Sequence, residues 1–159
     1  MSLPSYYITT PIYYVNDVPH IGHAYTTLAC DVMARFKRLD GYNVLFLTGT
    51  DEHGQKVEIA AEKSGIEPQL FTDQVSQNFR DLLPELDISN DDFIRTTEQR
   101  HKVAARVMWQ KLFNNGHIYR DKYSGWYSVR DEAYFTESEL IDGKAVSYTH
   151  LTLPTKRIV

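Results

Sequence analysis

The chain has 159 residues, 42% apolar and 24% charged, with a formal net charge of −4. That is enough chain for one good core, and the overall acidity excludes a general electrostatic trap for nucleic acid and argues against a DNA partner. A single cysteine, Cys30, excludes an internal disulfide and a cysteine-rich zinc site. No run of about 18 apolar residues offers a membrane span, and Met1–Ser5 lacks the basic-then-apolar pattern of a secretory signal. These features favour a cytoplasmic protein.

Tyr6-Tyr7-Ile8-Thr9-Thr10, aromatic and β-branched and closed by Pro11, predicts a buried strand. A loop is expected from Pro11 to about Pro19. Ala24, Leu28, Val32, Met33, Phe36 and Leu39 then recur at three- and four-residue steps, the spacing of one apolar helix face. Arg35, Lys37 and Arg38 suit the negative end of that helix, and Gly41 stops it. Asn43–Thr48 is a short apolar run, as in a fully buried parallel strand. Strand, helix, strand over about 40 residues is a right-handed βαβ unit, which makes the fold class α/β. Loops leaving the two strands emerge at one sheet edge, where open α/β sheets bind ligands. Pro11–His23 and Gly49–Gly54 should therefore face each other.

Further helices are expected over Gln55–Ser64, stopped by Gly65, and Pro68–Leu83. Phe93–Arg95 reads as a third strand. Thr96 with Gln99 fits a capping box opening another helix, which runs to Gly116. From Ile118 the texture changes to aromatics among turn residues, the pattern of short antiparallel strands.

Three stretches carry chemistry. His20-Ile21-Gly22-His23 stands where a helix begins, and a helix start offers free N–H groups to phosphate. Histidines three apart lie on one side of a turn and can both donate to phosphate oxygens. Gly22, lacking Cβ, would let adenine approach the backbone. The bland alternative is two solvated histidines about a turn glycine. Thr48–Gly54 follows the second strand. There Asp51 is equally a carboxylate for an ammonium group and a helix N-cap. Tyr13-Tyr14-Val15-Asn16 either walls a small apolar pocket or supplies core tyrosines. A competing reading gathers His20, His23, Asp51, Glu52 and His53 as zinc or iron ligands.

The run Thr9–His23 resembles the first signature of the methionine type of class I aminoacyl-tRNA synthetases, and His20–His23 matches the "HIGH" element of the whole class. Leu47–Lys56, Phe93–Thr97 and Gly116–Tyr119 resemble the same family, so the likeness covers roughly Tyr6 to Lys144. The resemblance implies the first half of a Rossmann-like parallel-sheet nucleotide-binding domain over residues 1–117. The start of a small inserted β-rich subdomain would occupy 118–145. It implies that Ile12 and Tyr14 line a methionine pocket and Asp51 holds the ammonium group. His20 and His23 would be catalytic, stabilising the ATP phosphates, with Gly22 part of the ATP site. Methionine, ATP with Mg2+, and tRNA(Met) are the implied substrates and partners. Glu52, His53 and Lys56 receive no role. No second phosphate-binding run of the Lys-Met-Ser-Lys-Ser kind occurs, so the chain is expected to be an inactive amino-terminal piece, or at most a weak nucleotide- or methionine-binding module. Tyr127-Ser128-Val129-Arg130-Asp131 has no cysteine where many relatives bind zinc, so no zinc is expected. The tail at 146–159, His150 included, departs from the family and is read as foreign to it.

Overall fold

The computed structural model describes residues 3–129, 131–141, 144–145 and 155–158. The chain packs as two compact units, Met1–Val107 and Met108–Val159.

The first unit is built on strand β3, Asn43–Asp51, which bonds in parallel to every other strand of its sheet. Strand β1, Ser5–Thr9, pairs with Asn43–Leu47, and a two-residue strand β2, Tyr13–Tyr14, pairs with Thr50–Asp51. Strand β4, Asp92–Arg95, pairs with Leu47–Thr50. Leu47 stands in register with both Thr9 and Asp92, and Thr50 with both Tyr13 and Arg95. A strand has two edges, so β1 and β2 follow one another along one edge of β3 and β4 lies along the other. Two differences from the sequence reading matter. The segment after Pro11 is not all loop, and β3 runs three residues further than its apolar run, carrying Gly49–Asp51 into the sheet. Gly49 is required there: a Cβ would sit 2.0 Å from the carbonyl oxygen of Ile94 across the β3–β4 pair.

Helix α1, Ile21–Leu39, joins β2 to β3; helix α2, Gln55–Ser64, and helix α3, Pro68–Glu85, follow β3. The main core gathers Tyr13, Val15, Val57, Ala61, Phe71, Val75, Phe79 and Phe93, from the strand region and from α2 and α3. The apolar face expected to bury α1 does not do so. Val32, Phe36 and Leu39 are 67%, 55% and 89% exposed, while Thr27, Asp31 and Ala34 are buried. The buried stripe is short and polar because it makes specific bonds. Asp31 accepts from Ser89 N and Oγ at 2.7 and 2.6 Å and from Arg35 Nε at 2.6 Å. Burial alone would raise the Asp31 carboxyl; the Ser89 bonds and the Arg35 guanidinium outweigh it and hold it below the usual range. The expected Thr96 capping box is also absent. Thr96 Oγ1 accepts the Glu52 N–H at 2.8 Å instead, and helix α4, Gln99–Asn114, begins beyond it.

In the second unit, strand β5, Ser124–Ser128, lies antiparallel between strand β6, Ala133–Phe135, and strand β9, Thr155–Ile158. Strands β7, Leu140–Ile141, and β8, Lys144–Ala145, form a separate pair. The aromatic texture becomes a cluster in which Tyr134 sits 5.0 Å from both Tyr123 and Tyr127, ring centre to centre. Ser128 Oγ donates to Asp131 Oδ2 at 2.6 Å and accepts Asp131 N–H at 3.2 Å, clasping the β5–β6 turn. Arg130 and most of the 146–159 tail, including His150, lie outside the described residues.

Candidate active site

The start of α1 is a capping box made of histidines. His20 is the N-cap; its Nδ1 accepts the Gly22 N–H at 3.1 Å, and the His20 N–H is accepted by His23 Nδ1 at 3.1 Å. Ser or Thr with Glu usually fill these two places. A ring nitrogen that accepts an N–H carries no proton, so each neutral imidazole keeps its proton on Nε2. The rings lie 3.9 Å apart, centre to centre. His23 is further held edge-on by Tyr13 at 4.8 Å and Phe79 at 5.1 Å. Burial, and next the neighbouring His20, lower the His23 pKa, so it is neutral near pH 7. Gly22 has a second reason to be glycine: a Cβ would come within 2.9 Å of the His20 ring.

These rings share a cavity of about 400 Å³ with Ile12, Tyr13, Tyr14, Asn16, Asp17 and Val18. Ile12 and Tyr14, 39% and 45% exposed, wall it, whereas Tyr13 is buried. Both readings of the tyrosine pair thus hold, one for each residue. Tyr13 stacks on Phe79 at 5.7 Å and its hydroxyl lies 2.9 Å from Thr27 Oγ1, so it ties the cavity floor to α1 and α3. Asp51, half-buried, is not a lining residue but stands in register beside Tyr14 on β3. It caps no helix, since the N-cap of α2 is Gly54, and among the described residues no cation pairs with it. The two segments expected to face each other do so through the β2–β3 pairing.

The sequence matches the family described as tRNA synthetases class I (M) over residues 6–148. The chain belongs to that family. It is 68% identical to the methionine–tRNA ligase of Rickettsia bellii over 140 residues, 88% of this chain and 28% of the relative. The Bacillus subtilis methionine–tRNA ligase is 56% identical over 138 residues, 87% of this chain and 21% of the relative. A Mycobacterium tuberculosis methionyl-tRNA synthetase solved with methionyl-adenylate superposes with a TM-score of 0.89 at 47% identity, covering 99% of this chain and 31% of that one. The chain therefore spans less than a third of the length of these relatives, and its sheet is the class I synthetase's Rossmann-like one.

Sequence reasoning passed over one buried cluster beside Asp51. Glu52, the residue after Asp51, has a fully buried side chain. Its carboxylate accepts from Arg95 Nε and Nη2 at 2.7 and 3.0 Å, from Thr50 Oγ1 at 2.8 Å, and from Thr97 Oγ1. Arg95, the last residue of β4, also pairs with Asp73 of α3 at 2.5 Å. The bonds to Glu52, and then that to Asp73, raise the Arg95 guanidinium beyond its already high range. The only available signal was a Glu and an Arg near two strand ends, and pairing partners far apart in sequence cannot be read from spacing. His53 Nε2 donates to the Thr96 carbonyl at 3.3 Å, and the Lys56 ammonium lies 5.8 Å from the Tyr14 ring centre.

Proposed function

We propose that this chain forms the amino-acid-activating cleft of a methionine–tRNA ligase, joining methionine to ATP as methionyl-adenylate for later transfer to tRNA(Met). The observation that carries the reading is a single cavity shared by Ile12, Tyr14 and the His20–His23 pair, with Asp51 in register beside Tyr14. Ile12 and Tyr14 line the place of the thioether side chain, and the Asp51 carboxylate pairs with the ammonium group. His20 and His23 both have Nδ1 committed to the helix start, so their Nε2–H groups are the donors left for phosphate oxygens. Gly22 gives adenine a close approach to the backbone.

The methionine carboxylate attacks the α-phosphorus in line and pyrophosphate leaves, so the chain's work is placement and charge stabilisation, with no covalent enzyme intermediate. Magnesium held by the triphosphate oxygens supplies charge neutralisation when bound. The zinc or iron alternative fits less well, because Glu52 is bonded to Arg95 and both Nδ1 atoms are engaged. In the second unit the Ser128–Asp131 clasp supports a turn held without zinc. A protein-synthesis enzyme of this kind belongs in the cytoplasm.

The test is methionine-dependent ATP–pyrophosphate exchange. Residues 6–145 of this chain, replacing the matching segment of the Rickettsia bellii ligase, are expected to support exchange that disappears without methionine. The 159-residue chain alone, whose cavity is open, is expected to show little. Exchange driven equally by other amino acids would sink the assignment.

A further inference from the structure

Asp51 has two flanking residues on the same strand end, and both are held by one arginine system. Thr50 is in register with Arg95 and its hydroxyl bonds the Glu52 carboxylate. Glu52 itself is forked onto Arg95, while its own N–H is bonded to Thr96 Oγ1. Thr50 Oγ1 also lies 3.2 Å from Ser76 Oγ of α3, and Arg95 reaches Asp73 of the same helix. Successive strand side chains point to opposite faces. The clasp therefore grips the backbone on both sides of Asp51 while leaving the Asp51 carboxylate out of the network. A charge buried this fully is weak evidence for stability, since apolar replacements of a buried pair are often as stable. It is better suited to fixing geometry.

We propose that Glu52 and Arg95 are positioning residues for the amino-acid site: their buried fork, anchored to α3, sets the Asp51 carboxylate at the distance and angle that a substrate's α-ammonium group requires. The inference rests on the functional reading above and adds to it two residues that never touch substrate. Its consequence is selective. Loosening the fork weakens capture of the amino acid and leaves the ATP side, held by the α1 capping box, unaffected.

The experiment uses the same joined ligase and measures KM for methionine and for ATP in pyrophosphate exchange, with thermal melts. E52Q keeps the side chain's shape and removes its charge. It is expected to raise the methionine KM about tenfold, as loss of a charge-assisted bond does, and to move the ATP KM by less than about twofold. In a D51N background, E52Q is expected to add less than about twofold, because the residue it positions is already gone. The double variant E52L/R95M removes both charges together. Its melt is expected to return toward the parent's while its methionine KM stays high, which a purely structural fork would not produce. An unchanged methionine KM in E52Q, equal rises in both KM values, full additivity with D51N, or a methionine KM that recovers with the melt each overturns the proposal. Should E52L/R95M melt poorly, the two KM values of E52Q and the D51N comparison decide it. A parent with no methionine-dependent exchange overturns the functional reading, and this inference with it.

Discussion

His23 is a residue whose protonation works against its own surroundings. Its Nδ1 accepts the His20 N–H, and a proton there would set two N–H groups against each other. With its pKa lowered first by burial and then by His20, the folded chain holds fewer protons than the unfolded chain below about pH 6.5. Stability is therefore fully present above that pH and is lost as pH falls through it toward the lower folded value. Melting midpoints of the 159-residue chain should fall as pH is lowered below about 6.5, and His23→Asn should flatten that slope. An identical slope in the variant would assign it elsewhere. The pair's identity was legible from residue order, since spacing of three on a helix start places both rings on one side. Which ring nitrogen faces outward was not, because it depends on the cap geometry the folded turn adopts.

At the level of elements, helix α1 uses His20, the histidine proposed to serve phosphate, as its cap. His20→Ala should cost about 0.5–2 kcal/mol, as loss of an N-cap does, and abolish most exchange. His20→Ser restores a capping oxygen without the distal N–H. Its melt is expected near the parent's while exchange stays low; recovery of both would reduce His20 to a cap. The β5–β6 turn makes a parallel case. Ser128→Ala removes the Oγ clasp on Asp131 and should destabilise the turn by about 1 kcal/mol, read as a lower melting midpoint. A metal chelator should leave the parent's melt unchanged, and a lowered melt on chelation would point to a bound metal. Helix α2 at Gln55–Ser64 and strand β4 were legible to within a residue because breakers and β-branched runs bound them. The short β2 was not: two residues carry no periodicity, and Tyr13–Tyr14 are strand only because Thr50–Asp51 lie beside them.

Over the whole molecule, the exposed apolar residues are the main liability. Tyr25, Val32, Phe36 and Leu39 on α1 are exposed, as are Val103, Val107, Trp109 and Phe113 on α4. Clusters of this kind drive association, so the 159-residue chain should self-associate with rising concentration in sedimentation. V32K/F36E should reduce that association without lowering the melt, and a parent that stays monomeric would refute it. The sequence alone determined the α/β class, the family and the order of β1, α1, β3, α2, α3, β4 and α4, because these follow from local periodicity, breakers and signature runs. Only the tertiary structure decided that α1 buries Thr27, Asp31 and Ala34, and that Glu52, not Asp51, is the carboxylate forked onto Arg95. The physical reason is that periodicity says a helix has an apolar face, not whether a partner covers it. Likewise the fate of a carboxylate is set by cations that the fold brings from 43 residues away.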